Sequence, residues 1–115
     1  MYTEKDNKTI SILGTDYNIK FVTEKELEEL EADGICDISI KVINVGIFEK
    51  GNIADLAEYQ KKVLRHEIIH AFLCESGLWE CSGSVSSWAN NETMVDWIAR
   101  QHSKMHEAFE KAGAL

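Results

Sequence analysis

The chain has 115 residues, 44% of them apolar, with a formal net charge of −8 and a pI near 4.9. That supports one domain, residues 1–115, with a single hydrophobic core. It carries no basic stripe to hold phosphates, which argues against direct nucleic-acid binding, and no apolar run approaches the roughly eighteen residues of a membrane span.

The opening MYTEKDNKT has no apolar stretch and does not read as a signal peptide. Cysteines are odd in number, Cys36, Cys74 and Cys81, the pattern of reduced thiols in a cytoplasmic protein. Residues 9–13 (TISIL) and 17–22 (YNIKFV) alternate apolar and polar around Gly14-Thr15-Asp16, which predicts a β-hairpin. Thr23 is placed to cap a helix running to about Ala32, with Glu26 completing a capping box and Gly34 stopping it. The acidic run in that helix reads as a solvated face, the alternative being the steering of a basic partner. Residues 36–39 and 41–45 are two further short β segments.

Residues 53–75 then predict a long helix. From Leu56 it reads LAEYQKKVLRHEIIHAFLCE, with no glycine or proline and apolar residues at Leu56, Tyr59, Val63, Ile69, Phe72 and Leu73. Residues 76–89 (SGLWECSGSVSSWA) form a loop rich in serine and glycine, and Asn90 or Asn91 caps a last helix ending near Lys111. The sum is an α+β chain: a small, twisted, mostly antiparallel sheet packed on two long helices and a short acidic one.

Within the long helix, His66-Glu67-Ile68-Ile69-His70 spells HEIIH. Histidines four apart on a helix share one face, so their imidazoles can converge on one Zn²⁺. Glu67 then lies beside the metal, placed to take a proton from a water that the metal holds. The bland alternative is a buried helix with two satisfied core histidines, but such a helix gains nothing from two polar rings and a carboxylate side by side.

A third ligand is needed. The metzincin extension would require glycine at 73 and histidine at 76, where this chain has Leu73 and Ser76, and the inverted motif HxxEH is absent. Further on stands Asn91-Glu92-Thr93-Met94-Val95-Asp96, with Glu92 and Asp96 on one helix face. HEIIH followed by NETMVD resembles the gluzincins, the thermolysin-like zinc peptidases. The likeness is nearest to the small single-domain minigluzincin-like proteins and the phage-associated relatives of ImmA/IrrE metallopeptidases, and its motifs span roughly residues 60–100.

The resemblance implies a zincin-like fold and one zinc per chain, held by His66, His70 and Glu92. It makes Glu67 the general base, and Asp96 the residue orienting a ligand histidine from behind. It further implies hydrolysis of a peptide bond in a peptide or protein substrate, a repressor-type regulator of the same cell among the candidates. Residues 41–45 would be the strand to which an extended substrate adds. Larger relatives carry an additional histidine or tyrosine that steadies the oxyanion, and no counterpart is placed in this chain. A catalytically silent zinc-binding regulatory or interaction module is the alternative reading. Neither substrate preference nor oligomeric state is written in the sequence.

Other candidates read as structural. His102 and His106 are four apart but about 21 Å along the axis separates His106 from Glu92, so they read as a surface pair. Cys74 lies about 12 Å along the helix from His66 and reads as a small apolar residue. Cys81 reads as a thiol in the loop, and Trp79 and Trp88 as core anchors or walls of a substrate cleft.

Overall fold

The computed structural model describes residues 1–49, 51–81, 89 and 91–115. Strand β1 (Lys8–Ile12) and strand β2 (Thr15–Thr23) form the expected antiparallel hairpin, from Lys8 opposite Ile19 to Ile12 opposite Thr15. The turn falls earlier than the sequence suggests. It is the pair Leu13-Gly14, both with positive φ (50° and 90°), as a two-residue turn matched to the strand twist requires.

Helix α1 is short, Glu24–Glu28, and the Thr23 hydroxyl accepts from the Glu26 N–H as its cap. It ends well before Ala32 because Leu27 is its one buried residue and Glu31 turns into the left-handed region. Gly34 does not stop the helix but begins β3 (Gly34–Asp37), followed by β4 (Val42–Ile47). The sheet order is β1-β2-β4-β3. Its outer pairs are antiparallel, but the central pair β2–β4 is parallel, so the sheet is mixed. The parallel pair arises because α1 and β3 intervene between β2 and β4, a connection long enough for a crossover.

Helix α2 (Leu56–Glu75) starts at Asp55, whose carboxylate accepts from the Glu58 N–H. It packs on β3 and β4 and against helix α4 (Glu92–Lys111). Asn91 is the α4 cap, accepting from the Met94 N–H, while Asn90 lies outside the described residues. The stretch expected as loop contains a single helical turn, α3 (Leu78–Cys81). The core gathers Tyr17, Ile19 and Phe21 of β2, Ile43 and Val45 of β4, and Val63 and Ala71 of α2.

The buried residues of α2 are Gln60, Val63, Glu67, His70 and Ala71. Their spacing places one helix face on the sheet, and it carries the polar half of HEIIH inward. Phe72, expected on an apolar face, is 42% exposed. Fully buried Gln60 is completely satisfied: its amide nitrogen donates to the Tyr2 and Gly46 carbonyls, and its oxygen accepts from the Tyr2 N–H. Among the described residues no helix is long and apolar enough to cross a membrane.

Candidate metal centre

His66 and His70 come from successive turns of α2, with ring centroids 4.8 Å apart. Their Nε2 atoms are 3.1 Å apart. His66, Glu67 and His70 bring potential ligand atoms within 4.8 Å of one another. The first residue of α4 closes the group, because the Glu92 carboxylate lies 3.0 Å from Nε2 of both His66 and His70. Donors about 2.0–2.1 Å from a tetrahedral zinc lie roughly 3.3 Å from each other, so this spacing fits.

The protons point the same way. Asp96 Oδ1 stands 3.3 Å from Nδ1 of His66, and an anion there favours the tautomer with its proton on Nδ1. Nε2 of His66 then presents a lone pair toward a carboxylate oxygen and a second imidazole nitrogen. A cation between them, or a proton on Nε2 of His70, satisfies that lone pair. Two imidazoles with a carboxylate are a donor set suited to zinc.

Asp96 is itself held by three partners. Arg100 Nε at 2.7 Å, Lys62 Nζ at 3.1 Å and His66 keep its carboxyl well below the ordinary range, the Arg100 bond counting most. His70 is depressed by burial, which favours the neutral, ligating ring. Among the described residues its buried Nδ1 has no hydrogen-bond partner.

Glu67 is buried at 7% exposure. Burial pushes its pKa up to about 7, the nearby Glu92 adds to the rise, and His66 and the Cys36 backbone N–H oppose it. That N–H belongs to β3, the edge of the sheet beside the site. Gly34 makes the approach possible: a Cβ there would fall 2.7 Å from Val63 Cγ1 and 3.1 Å from Glu67 Cγ. A cavity of about 290 Å³ is lined by Gly34, Cys36, Glu67, His70, Trp79 and Glu92. Trp79 is therefore a wall of the cleft, its ring edge-on to His70 at 6.3 Å.

One expectation fails. The strand at 41–45 cannot accept a substrate by strand addition, because β4 is paired on both sides. Among the described residues the sheet edge beside the donors is β3. His102 and His106 are exposed, with rings stacked and His106 paired to Glu110, a surface pair as expected. Cys74 is half-buried. The side chain of Cys81 and all of Trp88 lie outside the described residues.

The sequence reading missed Gly34, the Cys36 N–H, and the two cations on Asp96. Only Lys62 and Arg100 left a local signal, lying with Asp96 on facing or shared helix surfaces. A search with protein-family models found no match, and neither did searches of the curated proteins and of the solved structures.

Proposed function

We propose that this chain is a zinc-dependent peptidase of the gluzincin kind, with a zincin-like fold and one zinc held by His66, His70 and Glu92. The observation that carries the reading is the meeting of two Nε2 atoms and the Glu92 carboxylate within 3.0–3.1 Å, with Asp96 behind His66. Glu92 is preferred to Glu67 as the third ligand because it reaches both imidazoles. That leaves Glu67 for proton transfer.

Zinc bound there supplies Lewis-acid polarisation of a scissile carbonyl and acidifies a water. The remaining work falls to side chains. Glu67, buried and with a pKa near neutrality, removes a proton from the attacking water and returns it to the leaving amine. β3 closes over that side chain at Gly34. Asp96 fixes the His66 ring, with Arg100 and Lys62 keeping it ionised. An extended peptide lies along the open edge of β3, where backbone pairing positions the bond over the donors.

The test is Glu67→Gln, which preserves shape and removes the base. Elemental analysis should find zinc retained, while cleavage of unstructured peptides falls about 10²- to 10⁴-fold. Undiminished zinc-dependent cleavage would remove Glu67 from its role. Failure of the zinc-loaded wild type to cut any of a panel of extended peptides would favour the silent module.

A further inference from the structure

A second cavity lies outside the donor group. It is a groove of about 740 Å³ where α1 and the turn after it face the start of α2. Leu56, Tyr59 and the 44%-exposed Ile53 give it an apolar floor. Among the described residues its rim carries Glu24, Glu28, Glu31 and Asp33 against the cation Lys25. Among the described residues none of those four carboxylates is in a salt bridge. Apolar surface beneath four carboxylates is complementary to an amphipathic cation.

The groove adjoins the metal centre, separated from it by Tyr59, whose hydroxyl donates to the Asp33 carboxylate. Asp33 and Tyr59 line it and also a cavity of about 190 Å³ that reaches His66, Glu67 and Glu92. Asp33 directly precedes Gly34, where β3 begins, so the Gly34 end of β3 adjoins the groove. From Glu67 back to Leu56 is about 16 Å along α2, which an extended polypeptide spans in roughly five residues.

We propose that this groove docks a polypeptide segment in which lysine or arginine flanks one or two aliphatic side chains, roughly four to six residues from the bond held at the metal centre. The aliphatic side chains rest on Ile53 and Leu56, and the cations face the acidic rim. A second copy of this chain is a poor occupant, since its net charge is −8 and like charges would meet. The proposal takes its place in the reaction from the peptidase reading, but its test is independent of turnover.

Zinc-loaded full-length Glu67→Gln protein, unable to consume the probe, is titrated against a fluorescent basic-aliphatic peptide and followed by anisotropy. Two control peptides replace the cations by glutamate or the aliphatic residues by serine. Both controls should bind about tenfold or more weakly, and added salt should weaken the parent peptide. Adding Glu28→Lys with Glu31→Lys, or Ile53→Ser, should produce a similar loss while zinc content and melting temperature stay unchanged. All these positions are exposed, so the fold tolerates the changes. Equal binding of the three peptides, or undiminished binding by the groove variants, overturns the proposal. Groove-dependent binding without cleavage by wild type leaves the docking site standing and removes the peptidase reading. Cleavage indifferent to peptide charge and to the groove variants does the opposite.

Discussion

Removing the Asp96 carboxylate should weaken zinc binding without abolishing it, and the size of the effect can be worked out in advance. Asp96 touches Nδ1 of His66 at 3.3 Å and neither Nε2, so Asp96→Ala leaves all three proposed ligands present. Losing such an orienting partner typically weakens a metal site about 10- to 100-fold. Zinc supplied at 100 times the wild-type Kd stabilises the fold by about 2.7 kcal/mol. A chain of 115 residues has an unfolding entropy near 240 cal/mol/K, so each kcal/mol moves Tm by about 4 °C. Zinc should then raise the wild-type Tm by about 11 °C, and the same zinc should raise Asp96→Ala by about 2–6 °C. Differential scanning fluorimetry with and without chelator reads this directly. Glu92→Ala should lose nearly the whole shift. An undiminished zinc shift in Asp96→Ala refutes the orienting role, and a smaller loss in Glu92→Ala than in Asp96→Ala would make Asp96 the ligand.

Three other outcomes follow from the packing. Gly34→Ala, with its Cβ forced against Val63 and Glu67, should cost about 1–3 kcal/mol and depress turnover more than zinc affinity, measured by melting and metal titration. Gln60→Leu strands the Gly46 carbonyl and the Tyr2 backbone groups, a loss of about 2–4 kcal/mol in denaturant unfolding; a neutral result would mean water replaces the amide. Glu75, held below its ordinary pKa first by Lys41 and then by the Tyr17 hydroxyl, stabilises the fold above its unfolded pKa of about 4.3. That contribution is lost as pH falls through its lower folded value. In metal-free protein, the Tm gap between wild type and Glu75→Gln should be constant near neutrality and close below about pH 4. A gap independent of pH would contradict the assignment.

What the sequence disclosed about the site is what obeys helical geometry. His66, Glu67 and His70 are related by one turn, and Glu92 and Asp96 by another, so each half was legible alone. Their meeting across 26 residues is a tertiary fact that only the NETMVD likeness suggested. The hairpin was legible from alternation, but its turn slipped because Leu13 takes a left-handed conformation that its side chain does not favour. Strand order was not legible, since the parallel β2–β4 pair depends on a crossover rather than a local pattern. The inward face of α2 was obscured because Gln60, Glu67 and His70 are polar residues that the fold buries. The face was misassigned for the same reason that the site exists.

The proposed histidine donors and the proposed base share α2 but meet different neighbours, and this bears on how the protein can open. His66, His70 and Glu92 depend on the packing of α2 against α4, whereas Glu67 faces β3, its Cγ 3.1 Å from where a Cβ on Gly34 would stand. As a four-residue edge strand paired on one side, β3 belongs with the segments that unfold locally at the lowest free energy. Its transient detachment uncovers the Glu67 side chain and leaves the contact between α2 and α4 in place. Amide exchange at residues 34–37 should therefore outpace exchange in the middle of α2. The rate of that local opening, rather than global unfolding, would set how often the proposed base loses its cover while the proposed donors stay together.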